Sequence, residues 1–375
     1  MGAKKEKNIL THPKARNSVG LGTGYSHHLK PVVPLDLDKI SDFDEMVTGM
    51  KGTAFGGRNL GEAADVLEAM VRDKRCFKVL TLSGAMTVAK MGLVICKMID
   101  EGMVDAVIST GALVAHGFVE SAGMKHFKYE SNMDDKKLYY AGYDRVYDTL
   151  ELEVNLDEAF VLFKDVLETF DPKEPIASHE ITRELGKFLH NKFEGKGILK
   201  SAFEKNVPFY IPAFSDSEMG LDFASYNRVR KYYGKTPYLY DGMKDLEHYA
   251  NNVYKADRLG IFTIGGGVPR NWAQQVGPYL DLAFFRQIKA GVPEKALGEK
   301  SKYFKRFQYA VRICPEPVHW GGLSGCTYSE GVSWGKFVPK DEGGMWSEVL
   351  DDATIAWPLI IKAVLERLRK DPIKK

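Results

Sequence analysis

Four cysteines in 375 residues, Cys76, Cys96, Cys314 and Cys326, are too few and too scattered for a disulfide framework. They predict a reduced, cytoplasmic protein. An excess of one charge is also missing: 52 basic against 50 acidic side chains leave +2. Neither a basic stripe for nucleic acid nor a polybasic anchor for a membrane is present. The longest apolar run, residues 353–361, is interrupted by Pro358 and is far too short to span a bilayer. Residues 1–8 are polar and lysine-rich with no apolar segment behind them, so no secretory signal is expected. Met1-Gly2 opens like a myristoylation motif, but Glu6 stands where that motif needs Ser or Thr. Without GxSxG or a Walker A run, a serine hydrolase and a P-loop nucleotidase are poor matches. The nine histidines form no metal set by spacing, and Cys314, His319 and Cys326 lack CxxC or HxxxH intervals, so no metal is expected.

What the chain does have is glycine, 36 residues without a collagen period, and an ordinary globular apolar content of 44%. Residues 1–30 mix Lys, Gly, Thr, Asn and His with no hydrophobic period and read as a flexible arm. Residues 31–375 then read as one large domain. Helices are expected over 36–50 and 60–72, the second with Ala63, Val66, Leu67, Met70 and Val71 on one face. A strand over 77–82, a helix over 86–100 closed by Gly102, and a strand over 104–109 make a βαβ unit and imply a parallel sheet. Further strands are expected over 207–214, 259–264 and 307–313, with helices over 157–170, 180–190 and 357–369. The fold class is therefore α/β: a doubly wound, mostly parallel, Rossmann-like sheet with helices on both faces.

In such a sheet, ligands bind outside the carboxyl ends of the strands. That rule singles out Ser83, Thr110-Gly111, Ser215-Asp216 and the triplet Gly265-Gly266-Gly267. Three glycines after a strand let backbone amides approach a pyrophosphate, or simply make a tight turn. Asp216 suits a ribose hydroxyl or a helix N-cap equally well. Residues 330–336, EGVSWGK, set a carboxylate, an indole and a lysine within one glycine-flanked segment. A desolvated lysine forms imines, and a neighbouring Trp offers an apolar wall and a cation–π face for an amine.

Several segments together resemble the deoxyhypusine synthase family from about Lys30 to Leu368, most closely its deoxyhypusine synthase-like branch. They are TGMKGTAFGGRNLGEA at 48–63, VDAVISTG at 104–111, IGGG at 264–267, EGVSWGK at 330–336 and DDATIAWPL at 351–359. The resemblance implies that Lys336 is the covalent nucleophile. It implies NAD as cofactor, held by Ser83, Thr110, Gly111, Asp216, Gly265, Gly266, Gly267, Asp352 and Ala353. Trp334 and Glu330 would line a pocket for a polyamine such as spermidine, beside Asn271 and His116. An aminobutyl group would pass through a Lys336 imine to an amine acceptor, either a protein lysine or a small diamine. A homotetramer with shared sites is implied too, its N-terminal arm able to cover a neighbour's site.

The departures from the family pattern are specific. An acidic turn after the second strand has become Ala115 and His116. A DGSDSG-type loop reads Trp320-Gly321-Gly322-Leu323-Ser324-Gly325, without its aspartates. Asn271 stands where a histidine is expected, and an aspartate near Gly220 is shifted one step, to Asp222. Burying an ammonium without a carboxylate is costly, so these changes predict altered substrate recognition around a preserved covalent and redox core. Alternatives are a homospermidine synthase-type enzyme using a diamine, or a non-catalytic NAD-binding paralogue.

Overall fold

The computed structural model describes residues 24–373. Its centre is a six-stranded sheet built from β1 (Cys76–Leu82), β2 (Ala106–Ser109), β6 (Phe209–Tyr210), β7 (Arg258–Ile264), β8 (Phe307–Ile313) and β9 (Met345–Val349). The order is β6-β2-β1-β7-β8-β9, and every neighbouring pair is parallel. The chain thus builds outward one way from β1, returns, and builds outward the other way from β7. This is the doubly wound order, with its switch point between β1 and β7.

Alternate strand residues face opposite layers, as the period of two requires. Leu80, Val107, Phe262 and Val311 join one core. Val79, Ile108, Ile261 and Ala310 join the other. The first layer holds α1 (Phe43–Gly52), α2 (Phe55–Arg72), α3 (Gly92–Asp100), α4 (Gly111–Ser121), α6 (Glu153–Leu167), α7 (Ser178–Lys192), α8 (Ile198–Glu204), α9 (Glu218–Tyr232) and α14 (Ala353–Lys370). The second holds α10 (Gly242–Lys255), α11 (Gly267–Gln274), α12 (Val276–Lys289) and α13 (Tyr328–Ser333). A small antiparallel sheet, β3 (Phe127–Lys128), β5 (Thr149–Leu152) and β4 (Tyr143–Val146), adjoins α5 (Asp135–Ala141) and is inserted between α4 and α6.

The differences from the sequence reading have local causes. Strand β6 shrinks to two residues because Pro208 and Pro212 flank it and cannot donate to a ladder. The helix expected from residue 86 begins at Gly92, since Lys90 adopts φ 62° and breaks the turn before it. Strand β9 is unmarked in sequence, yet pairing with β8 sets Glu348 opposite Arg312, and the two form a salt bridge. Most of the expected 1–30 arm lies outside the described residues.

One buried cation ties the first layer together. Arg367 on α14, 7% exposed, bonds Asp44 at 2.7 Å, Asp65 at 2.9 Å, Glu68 at 3.1 Å and Thr48 at 3.0 Å, all on α1 and α2. Removing one partner of a buried ionic cluster leaves the others uncompensated. Arg367→Met is therefore expected to lower unfolding stability by about 3 kcal/mol. Urea denaturation followed by circular dichroism checks this, and a loss confined to the range of an exposed pair would contradict it.

Candidate active site

The carboxyl edge of the sheet gathers the residues singled out above. Ser83 follows β1 and Thr110 follows β2, where Thr110 caps α4 by accepting from the Leu113 amide. Behind Thr110, a Cβ on Gly111 would meet the Ser217 side chain at 2.3 Å. Asp216 lies beyond β6. Ser217, not Asp216, caps α9, so the Asp216 carboxylate stays exposed. Asp352 caps α14 by accepting from the Thr354 amide and hydroxyl, at 2.7 and 2.8 Å, and Ala353 begins that helix.

The glycine triplet at the end of β7 lies at the switch point. Gly265 has φ 74° and Gly267 has φ 63°, conformations in which a side chain is strained. A Cβ on Gly266 would lie 2.6 Å from the Ser324 Cα, while its amide donates to Ser83 Oγ at 2.9 Å. Glycine is therefore required at all three positions. The turn leads straight into α11 with backbone rather than side chain presented at the crevice.

Lys336 reaches the same region from the other side. Helix α13 ends at Ser333, and Gly335, at φ 69°, turns the chain as a left-handed cap. The Lys336 amide then donates to Gly331 O at 3.1 Å, and its carbonyl accepts from the Phe307 amide at 2.9 Å. The next residue, Phe337, is fully buried against Tyr328, with ring centroids 4.7 Å apart. Any Cβ on Gly331 would strike that ring at 2.6 Å. The small residues of the segment thus seat an aromatic anchor directly beside the lysine.

A cavity of about 530 Å³ opens around the lysine, lined by Gly267, Asn271, Glu330, Trp334 and Lys336 among others. Lys336 Nζ donates to Asn271 Oδ1 at 3.2 Å and sits 5.9 Å from the Trp334 ring centroid. Behind it two buried arginines, Arg270 and Arg312, donate to the Ser324 and Cys326 carbonyls and flank the Tyr328 ring. Burial lowers the Lys336 pKa, Arg270 adds to the shift, and Cys326 and Glu330 oppose it. Lys336 is thus more readily neutral, hence more nucleophilic, than a solvated lysine.

Five predicted residues share this cavity: Gly267, Asn271, Glu330, Trp334 and Lys336. Ser83, Gly265 and Gly266 adjoin it through the hydrogen bonds and close contacts of the triplet. Within one chain, Thr110, Gly111, Asp216, Asp352 and Ala353 stand along the same edge without lining it. His116 does not line it either. It is buried on α4 and bonds Glu151 at 3.0 Å through Nδ1. Sequence reasoning missed Arg270 and Cys326, which line the cavity, and Glu218 on α9, the neighbour of the displaced Asp222. Glu218 and Asp222, one turn apart on α9, line a small pocket together with Ala115. Burial, and then the Glu218 charge, push the Asp222 carboxyl up to about 6. The spacing of Glu218 and Asp222 was the available signal.

Two outcomes follow from these environments. Acylation of Lys336, followed by peptide mass spectrometry against pH, is expected to have its midpoint below the ordinary 10.5 of a lysine. Glu330→Gln should move that midpoint lower still, and a midpoint equal to that of exposed lysines would contradict the assignment. For Asp222, the folded pKa of about 6 exceeds the ordinary 3.8, so its ionisation penalises the fold as pH rises through that interval. Asp222→Asn is expected to gain about 1 kcal/mol at pH 8, discounted for partial solvation, with the gain shrinking towards pH 4. A gain independent of pH would contradict it.

The deoxyhypusine synthase family model matches residues 45–364. The chain is 33% identical over 338 residues to "Probable deoxyhypusine synthase 2" of Methanosarcina acetivorans, covering 90% of each chain. It is also 33% identical to a "Deoxyhypusine synthase-like protein" of Chlorobaculum parvum, covering 84% of each. The crystal structure of a "putative deoxyhypusine synthase" from Entamoeba histolytica shares the fold, with TM-score 0.55 at 15% identity over 88% of this chain and 96% of that one. Among the described residues no helix is long and apolar enough to cross a membrane. With the parallel sheet, the glycine turn at its switch point and the anchored lysine in place, the matches establish that this chain belongs to the deoxyhypusine synthase family.

Proposed function

We propose that the protein is an NAD-dependent transferase that moves an aminobutyl-type group from a spermidine-like polyamine to an amine acceptor through an imine on Lys336. The observation that carries this reading is the half-buried Lys336 amine, with its pKa lowered, sharing one cavity with Glu330 and Trp334. A solvated surface lysine would need none of that setting.

The crevice fits a dinucleotide. At the turn the Gly265 amide donates to Ile313 O at 2.8 Å and the Gly266 amide to Ser83 Oγ at 2.9 Å, so the Gly267 amide, at a position where a Cβ would meet nothing within 4 Å, would approach the pyrophosphate. Ser83, Thr110, Gly111, Asp216, Asp352 and Ala353 would hold the remainder of the cofactor along the same strand ends. When bound, NAD would accept a hydride from the donor carbon beside its secondary amine and return it to the product. Glu330 would hold a donor ammonium, and Trp334 would shield the reacting carbon from water. The neutral Lys336 amine would attack the donor's imine carbon. As its C–N bond forms, the bond to the departing 1,3-diaminopropane breaks, and that amine leaves with the proton lost by Lys336. Asn271 would hold Nζ in line for this attack. The acceptor amine then displaces Lys336 by the same exchange in reverse.

Among the described residues Glu330 is the one carboxylate lining the cavity, so a donor with several ammonium groups needs further acidic partners. Trp320 and Trp334 are 70% and 66% exposed at the same edge of the chain. These exposed indoles support the reading that a second copy covers the site in a homotetramer and completes it.

Incubation with NAD and spermidine, a borohydride quench, and mass analysis of the protein and free amines tests the proposal. The expected result is a reduced adduct on Lys336 with 1,3-diaminopropane released. Lys336→Ala should abolish the adduct and lower turnover at least about 100-fold. Putrescine added as acceptor separates the two acceptor classes, because formation of homospermidine identifies a small diamine. Absence of both adduct and diaminopropane would overturn the transferase reading for this donor.

A further inference from the structure

We infer that His116, His126 and Glu151 form a divalent-metal site, of the class that takes Zn²⁺, joining the small antiparallel sheet to α4. His116 lies on α4, His126 just precedes β3, and Glu151 is in β5. One ligand atom from each lies within 4.8 Å of the others. His116 Nδ1 is 3.0 Å from Glu151 Oε2, and His126 Nε2 is 2.6 Å from that same oxygen. The side chains of Glu151 and His126 are fully buried, and that of His116 is 7% exposed. Two imidazoles and one carboxylate suit zinc and other late first-row divalent ions, whereas Mg²⁺ and Ca²⁺ prefer oxygen alone.

Two observations point to a ligand rather than to a simple hydrogen-bonded triad. The buried His126 Nε2 has no hydrogen-bond partner, although the Glu151 oxygen is only 2.6 Å away. An ion bound between them would part these two atoms to the roughly 3.3 Å that separates tetrahedral ligands at about 2.0 Å from a metal. Second, the outer contacts already have the form that orients metal ligands. Glu151 Oε1 accepts from the Asn155 amide at 2.8 Å and from the Leu152 backbone at 2.9 Å, leaving Oε2 for the ion. On the far side of the His116 ring, Nε2 lies 3.7 Å from Glu218 Oε1, beyond hydrogen-bond reach but close enough for that carboxylate to favour a positively charged centre.

Lys90 supplies a built-in competitor. Its Nζ is 2.8 Å from His126 Nδ1 and 3.2 Å from Glu120 Oε1. An ammonium donating to Nδ1 leaves the proton of a neutral imidazole on Nε2, facing Glu151. Metal loading reverses that tautomer: the proton moves to Nδ1, the Nε2 lone pair binds the ion, and Lys90 withdraws to Glu120. Lys90 is half-exposed, so this movement costs no core packing.

The full-length protein, stripped with a chelator and reloaded with Zn²⁺, tests the site by elemental analysis and by competition against a chromophoric chelator. Wild type is expected to retain about one Zn²⁺ per chain. His126→Gln should bind it at least about 100-fold more weakly, and Lys90→Met, at the exposed rim, should bind it about tenfold more tightly. The Lys90 variant keeps the proposal falsifiable should the buried substitution fail to fold. Sub-stoichiometric zinc in wild type, or affinity unchanged in both variants, would overturn the proposal and leave a hydrogen-bonded relay.

Discussion

The parallel sheet is buried on both faces, and that constraint confines the polar chemistry of the chain to one edge. Alternate residues of β1, β2, β7 and β8 enter two separate cores, so no functional group can project from the middle of a strand without being desolvated. Where the strands end, backbone amides, hydroxyls and carboxylates emerge together. Ser83, Thr110, Gly265 and Asp352 lie along that edge because each follows the last ladder bond of its strand or caps the next helix. The switch point between β1 and β7 opens on that edge, since the chain leaves in opposite directions on its two sides.

Lys336 belongs to that edge without following a strand of the main ladder. Its position depends on Phe337, whose burial against Tyr328 and Gly331 fixes the backbone one residue away. The long lysine side chain is thereby aimed across the crevice at Asn271. Burial favours the neutral amine, and Arg270, held on the Ser324 and Cys326 carbonyls, adds to that preference against the opposing pull of Cys326 and Glu330. The same arrangement that stabilises the loop therefore also tunes the candidate lysine.

Acidic groups stand elsewhere than the family resemblance implies. Ala115 stands where a carboxylate is expected, and the space beside it is lined by Glu218 and Asp222 from α9. His116 turns inward to Glu151 and helps to lock the inserted sheet against α4. A position expected to touch substrate thus has a different partner within its own chain, while Gly267, Trp334 and Lys336 line one cavity.

The strong local signals were legible in the sequence because they arise from short-range physics. Strands β1, β2, β7 and β8 announce themselves as apolar runs closed by Ser-Gly, Thr-Gly, Gly-Gly and Cys-Pro, and EGVSWGK carries its own turn chemistry. The doubly wound class and the candidate lysine follow from those signals. Strand β9 and the truncation of β6 were not legible, because pairing partners decide them. Nor was the Arg367 cluster, whose partners on α1 and α2 lie some three hundred residues away in the chain. The convergence of His116, His126 and Glu151 is likewise invisible as a spacing motif, since three elements of different kinds supply the groups. Sequence by itself determined which residues could do chemistry. The tertiary structure alone decided which of them meet, because burial and pKa are properties of the surroundings rather than of the residue.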